Sequence, residues 1–169
     1  LHGRQLFVFS KWGEETGDPN FIKMADNIFR YMKDVFWDDK YGGWRSSVYL
    51  DGTPKDASKG LYAHAFVLFG LLNYLKCLKR TVAEDWINET LLLVEREFSR
   101  PDNSYCEIMT REFQDQSSDL RNQNAHMHLL EAALALGEYS VNEKHIKMAS
   151  RLVVLFQSRF LDQQELVVR

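Results

Sequence analysis

A chain of 169 residues with 45% hydrophobic and 13% aromatic content can bury one real core, which excludes a disordered or low-complexity protein. A formal net charge of −3, with Lys and Arg interspersed among Asp and Glu, offers no basic field for nucleic acid. Cys77 and Cys106 lie far apart with no CxxC spacing, as free thiols in a reducing compartment do, and a cytoplasmic location is expected.

A short first helix is expected over Arg4 to Trp12. Phe21, Met24, Ala25, Ile28, Phe29, Met32, Val35 and Phe36 then recur at three- and four-residue steps, an amphipathic helix that Asp18 and Pro19 start. Between Asp38 and Lys59 the pattern changes to Gly42, Gly43, Trp44 to Leu50 and an Asp51-Gly52 turn, a short β-hairpin or loop near residues 42–53. Helices follow from about Gly60 to Leu78 and Ala83 to Phe98, with a turn at Arg100 to Ser104. Two more run from about Leu120 to Glu138 and Asn142 to Leu161. Apolar runs such as Ala65 to Leu72 fall short of the ~20 residues of a membrane span, so no membrane is expected. Helices joined by short links pack as antiparallel hairpins, giving an all-α chain; no sequence repeat at a fixed period is evident. The apolar Leu166 to Val168 at the end reads as an interruption, so residues 1–169 are expected to form a single partial domain.

The densest polar cluster opens the fourth long helix: Arg121-Asn122-Gln123-Asn124-Ala125-His126-Met127-His128-Leu129-Leu130-Glu131. At ~100° per residue Arg121, Asn124, His128 and Glu131 share one face, while His126 turns about 160° from His128. The two histidines therefore do not form a metal pair on one helix, and no metal is expected. Singly, these residues read as helix-start groups, a buried histidine and a solvated carboxylate. Together, on an otherwise apolar helix, they form a polar pocket suited to a hydroxyl-rich ligand. In Lys59-Gly60-Leu61-Tyr62-Ala63-His64-Ala65-Phe66, Lys59, Tyr62 and Phe66 share a face. His64 points the other way, as a site residue or as a core histidine bonded to a backbone carbonyl. Arg4 precedes an aromatic-rich stretch and reads as a site residue or a surface arginine.

RQLFVFS, GGW with its following DG turn, KGLYAHAF and NAHMHLLEA, in this order, resemble the N-acylglucosamine 2-epimerase superfamily. NAHMHLLEA and YAHAF are most similar to its mannose isomerase and sulfoquinovose isomerase members. The resemblance implies helical hairpins forming about half of an (α/α)6 barrel, with a sugar bound at the inner-helix ends. It implies that Arg4, Tyr62, Asn124 and His128 contact the sugar, that His64 and His126 support them, and that Glu131 orients the His128 imidazole. It implies aldose–ketose isomerisation or 2-epimerisation of a mannose-like sugar through a cis-enediolate, without cofactor. Arg4 would stabilise the developing negative charge, with His128 a further candidate for proton transfer. Such enzymes move the proton with two histidines of the other half, one in Gly-His-x-x-Glu. The five histidines here, His2, His64, His126, His128 and His145, include none in that motif. A non-catalytic carbohydrate-binding or interaction module is the alternative. A glycoside hydrolase would need two opposed carboxylates, and a purely structural helical repeat leaves the polar face unexplained. Half a barrel leaves apolar inner surfaces open, so a homodimer or aggregation is expected of the isolated chain.

Overall fold

The computed structural model describes residues 1–79, 81–117, 121–140, 142–162 and 167–168. Six helices form three hairpins: α1 (His2–Thr16) with α2 (Pro19–Tyr31), α3 (Leu61–Leu78) with α4 (Thr81–Leu93), and α5 (Gln123–Tyr139) with α6 (Glu143–Leu155). The inner helices α1, α3 and α5 pack side by side, α3 between the other two, and each hairpin partner lies outside its own inner helix. Caps set several helix starts as the side chains dictate: Asp18 accepts from Asn20 N–H at 2.8 Å, Asn122 from Asn124 N–H at 2.9 Å and Asn142 from Lys144 N–H at 3.0 Å.

Each outer helix ends in one π-helical turn, at Met32–Phe36, Val94–Phe98 and Phe156–Phe160. These turns stand 62 residues apart, as do the starts of α2, α4 and α6 at residues 19, 81 and 143. The left-handed caps Gly17 (φ 68°) and Lys79 (φ 51°) keep the same spacing. The chain is thus a threefold structural repeat, contrary to the absence of a period in the sequence pattern. Only a few positions keep their residue type between units, among them Phe36, Phe98 and Phe160, and His2, His64 and His126. Those phenylalanines pack on those histidines, with ring centres 4.9, 5.1 and 5.6 Å apart.

The first outer-to-inner crossing carries β1 (Arg45–Val48) and β2 (Pro54–Gly60), antiparallel. The second adds β3 (Ile108–Met109) to β2, so the expected hairpin is the larger part of a three-stranded sheet. β4 (Leu161–Asp162) pairs β5 (Val167–Val168). The three-stranded sheet is pinned by buried Asp38, whose carboxylate accepts from Lys59 Nζ at 3.1 Å and Arg111 Nε at 2.7 Å, with Arg45 at 3.4 Å. Burial works against that carboxylate's charge, but the bonds from Arg111 and Lys59 outweigh it and hold the group well below the usual carboxylate range.

α1 is longer than the expected helix at Arg4 to Trp12, α4 starts at Thr81 rather than Ala83, and α6 gives way to its π turn before Leu161. The expected start of the α5 segment at Leu120 lies outside the described residues, as does Leu166 near the end. By length and composition α3 would suffice to cross a membrane, contrary to the sequence estimate. Its apolar side chains are instead largely buried against α1, α4 and α5.

Candidate functional site

The N-terminal ends of the three inner helices lie side by side, and the same repeat position on each delivers one member of a cluster. Arg4, Phe66 and His128 are spaced by 62 residues. The Arg4 guanidinium sits 4.2 Å from the Phe66 ring centre, and Phe66 lies 4.5 Å from the His128 ring. Phe66 is a platform that the sequence reading placed on the Tyr62 face without giving it a role. Tyr62, one turn before Phe66, accepts a hydrogen bond from Arg4 through its hydroxyl and meets His128 edge-on at 5.2 Å. His128 Nδ1 donates to Glu131 Oε2 at 2.8 Å, so the neutral ring presents an unprotonated Nε2. Asn124 stands one turn before His128, exposed, its amide without a hydrogen-bond partner among the described residues. Arg4, Tyr62, His128 and Glu131 therefore form one contiguous assembly, with Asn124 at its margin.

Two expected face-sharers leave the cluster. Arg121 precedes α5, because Asn122 caps it, and its guanidinium bonds Ser104 Oγ at 2.7 Å and Asp102 at 3.3 Å. Lys59 lies on β2 rather than on the helix, and its ammonium turns to Asp38 and to the carbonyls of Gly42 (2.8 Å) and Gly43 (3.2 Å). Burial lowers this ammonium to a pKa of about 8 despite its Asp38 partner.

His64 and His126 lie behind the cluster, fully buried. Nδ1–H of His64 donates to Gly60 O at 2.7 Å, and Nδ1–H of His126 donates to Asn122 O at 2.8 Å, both one turn back. A carbonyl can only accept, so these bonds fix the tautomer and leave each Nε2 as an acceptor. Trp44 N–H donates to His64 Nε2 and Tyr105 N–H to His126 Nε2, both at 3.1 Å. Burial pushes the His64 pKa down to about 4 and lowers that of His126 as well. Both nitrogens of each ring are thus engaged by backbone groups.

A cavity of about 270 Å³ adjoins the cluster, lined by Arg4, Tyr62 and Phe66 together with His2, Arg45 and Ser46. A larger groove of about 560 Å³ runs between α4 and α6. Glu95 and Arg151 in its lining pair with each other at 2.5 Å, and its remaining charged groups, Lys144 and Lys147, are both cations of the outer helix α6. The chemistry points to the smaller cavity, which presents the Arg4 guanidinium and the Tyr62 phenol, with the His128 imidazole packed on Tyr62 and Phe66 beside it.

The N-acylglucosamine 2-epimerase (GlcNAc 2-epimerase) family matches residues 1–169. Cellobiose 2-epimerase of Bacteroides fragilis is 26% identical over 173 residues, covering 96% of this chain and 44% of that protein. D-mannose isomerase of Thermobifida fusca is 25% identical over 140 residues, covering 83% of this chain and 34% of that protein. The solved cellobiose 2-epimerase of Bacillus thermoamylovorans superposes with a TM-score of 0.90 at 26% identity, covering 96% of this chain and 45% of that one. The chain spans less than half the length of these relatives, whose fold is the (α/α)6 barrel.

Proposed function

The chain belongs to the N-acylglucosamine 2-epimerase family, and on that premise we propose that the complete protein is a sugar 2-epimerase or aldose–ketose isomerase. This chain supplies its sugar-binding half, with a mannose-like hexose as substrate or reducing-end unit. The observation that carries the reading is the Arg4–Tyr62–Phe66–His128–Glu131 assembly at the ends of three adjacent inner helices. A sugar hydroxyl can both donate and accept. Arg4 donates, Asn124 does both, and His128 Nε2 accepts, so together they can fix the open-chain form at C1 to C3.

Loss of the C2 proton leaves an enediolate with charge on O1 and O2. A guanidinium held over Phe66 is positioned to offset that charge at low reorganisation cost. Returning the proton to C2 on the opposite face gives the epimer, and returning it to C1 gives the ketose. Glu131 keeps the His128 ring in the tautomer whose Nε2 can accept. The remaining proton-transfer groups are assigned to the other half of the barrel. No cofactor is assigned, and the two free thiols, Cys77 and Cys106, support a cytoplasmic setting.

Incubation of the complete protein and of this chain with mannose, fructose, N-acetylmannosamine and cellobiose in deuterated water, with proton NMR at C2, tests the reading. Exchange by the complete protein alone supports it. A second reading, a non-catalytic sugar-binding module, draws on His145, which lies on outer helix α6 bonded to Ser140 at 3.1 Å and away from the cluster. Sugar binding by both proteins without exchange in either would favour it.

A further inference from the structure

The separation of neighbouring inner helices is set in two different ways. Between α1 and α3 it depends on glycine: a Cβ on Gly3 would lie 2.7 Å from Phe66 O, and one on Gly70 would lie 2.6 Å from Gly3 O. One repeat later the same positions hold Ala65 and Ala132, both buried. Their methyl groups close that backbone approach to α3 and α5.

Where α3 and α5 display the cluster, one residue outside both helices bonds to each of them. Glu107, immediately before β3, accepts through its backbone carbonyl the N–H of Leu61, the first residue of α3, at 2.9 Å. Its side-chain carboxylate accepts the N–H of Asn122, the residue that caps α5. No side chain caps α3, so the Glu107 carbonyl satisfies one of the donors a helix start leaves open. The carboxylate in turn meets the positive end of the α5 dipole. Glu107 is itself held on both sides. Its neighbour Ile108 pairs with Gly60 of β2, and its own N–H donates to Ser117 Oγ at 2.7 Å.

From these two bonds the chain reaches the cluster within two turns: Leu61 leads to Tyr62 and Phe66, and Asn122 leads to Asn124 and His128. Asn122 passes the constraint on, because its side chain accepts from Asn124 N–H at 2.9 Å and its carbonyl from His126 Nδ1 at 2.8 Å. We infer that Glu107 is a positioning residue for the reaction. The reach of its carboxylate fixes how far Tyr62 and Phe66 stand from Asn124 and His128, and so how the wall fits a sugar. For catalysis the inference rests on the epimerase–isomerase reading; for the spacing of the two helices it does not.

Three substitutions in the complete protein separate reach from charge. Glu107→Gln keeps an acceptor at full length without the charge, Glu107→Asp keeps the charge one methylene short, and Glu107→Ala keeps neither. All three retain the carbonyl that serves Leu61. The His128 ring lies 5.2 and 4.5 Å from the Tyr62 and Phe66 ring centres, so its proton shifts in histidine-labelled protein report the spacing through ring currents. His2, packed on Tyr31 and Phe36, is the control. The His128 shifts should stay at the parent values in Glu107→Gln and move in Glu107→Ala and Glu107→Asp, with His2 unchanged. For the sugar the parent turns over, kcat/KM should fall about tenfold or more in Glu107→Ala and Glu107→Asp, and should stay within about threefold of the parent in Glu107→Gln. If Glu107→Ala loses its helical circular dichroism, Glu107→Asp carries the same comparison. A parent that turns over no sugar would overturn the epimerase–isomerase reading and leave the shifts to decide the spacing. Unmoved His128 shifts in the alanine and aspartate variants, equal losses in Glu107→Gln, or unchanged kcat/KM in an active protein would each overturn the positioning role.

Discussion

His64 and His126 hold the two crossings of the chain in the same way: each donates from Nδ1 to the carbonyl four residues back and accepts at Nε2 from a backbone N–H on the crossing before it, Trp44 or Tyr105. The bond accepted at Nε2 exists only while the ring is neutral. The two histidines tie the ends of the outer helices to the starts of the inner ones, where Tyr62, Asn124 and His128 are displayed.

Acid should loosen this tie. The His64 pKa falls from 6.5 in the unfolded chain to about 4 when folded, so between these values the unfolded state binds the extra proton. Stability from this group is complete above pH 6.5 and is lost as pH falls toward 4, a swing of ~3 kcal/mol at most. His126, lowered too, adds in the same direction. Urea unfolding at pH 7.5 and pH 4.5 should show the loss, and His64→Gln, which keeps an acceptor for Trp44 N–H, should reduce it. An equal pH dependence in both proteins would refute the assignment.

Asp38 and Lys59 should be strongly coupled. Asp38→Asn leaves the Lys59 ammonium buried with its anion gone and should cost ~3–5 kcal/mol. Replacing both, as Asp38→Asn with Lys59→Met, should cost clearly less than the sum of the single changes. Additive losses in a double-mutant cycle would show that Arg111 and Arg45 carry the cluster without Lys59.

Two glycine-to-alanine changes should have opposite signs. In Gly70→Ala the new Cβ would lie 2.6 Å from Gly3 O, so α1 and α3 must part, and the cost should exceed the ~1 kcal/mol that alanine gains in helix propensity. In Gly137→Ala the nearest atom is Ile146 Cγ1 at 3.7 Å, an ordinary contact, and the helix should gain ~0.5–1 kcal/mol. Thermal melts of the two variants check this, and stabilisation by Gly70→Ala would contradict the packing described.

In the complete protein, Glu131→Gln should lower kcat/KM by about tenfold or more, since it weakens a charge-assisted bond to His128. Arg4→Lys keeps the charge but gives up the planar stack on Phe66, and it should lower kcat with sugar affinity affected less. Unchanged kcat in Arg4→Lys would limit Arg4 to a general electrostatic role.

Much of the site was legible because helical spacing alone aligns Asn124, His128 and Glu131, and Tyr62 with Phe66. The core-histidine reading of His64 was legible as well, since its carbonyl partner is local. Arg121 and Lys59 misled because the face argument assumes a continuous helix. Asn122 begins α5 after Arg121, and Gly60 separates Lys59 on its strand from α3. The 62-residue repeat escaped because helix packing constrains shape at a few positions per unit and leaves residue type free elsewhere. Arg4, Phe66 and His128 occupy equivalent positions with different chemistry.

By itself the sequence determined the helices, their polar faces and the family's motifs, because these depend on contacts within a turn or two of chain. Only the tertiary structure decided that Arg4, Phe66 and His128 form one wall, that Lys59 serves Asp38 instead of the site, and that backbone N–H groups some 20 residues upstream hold His64 and His126 neutral. Those pairings are made between elements, where chain connectivity leaves the partner open and burial favours the arrangement that pairs the Lys59 charge and the Trp44 and Tyr105 N–H donors.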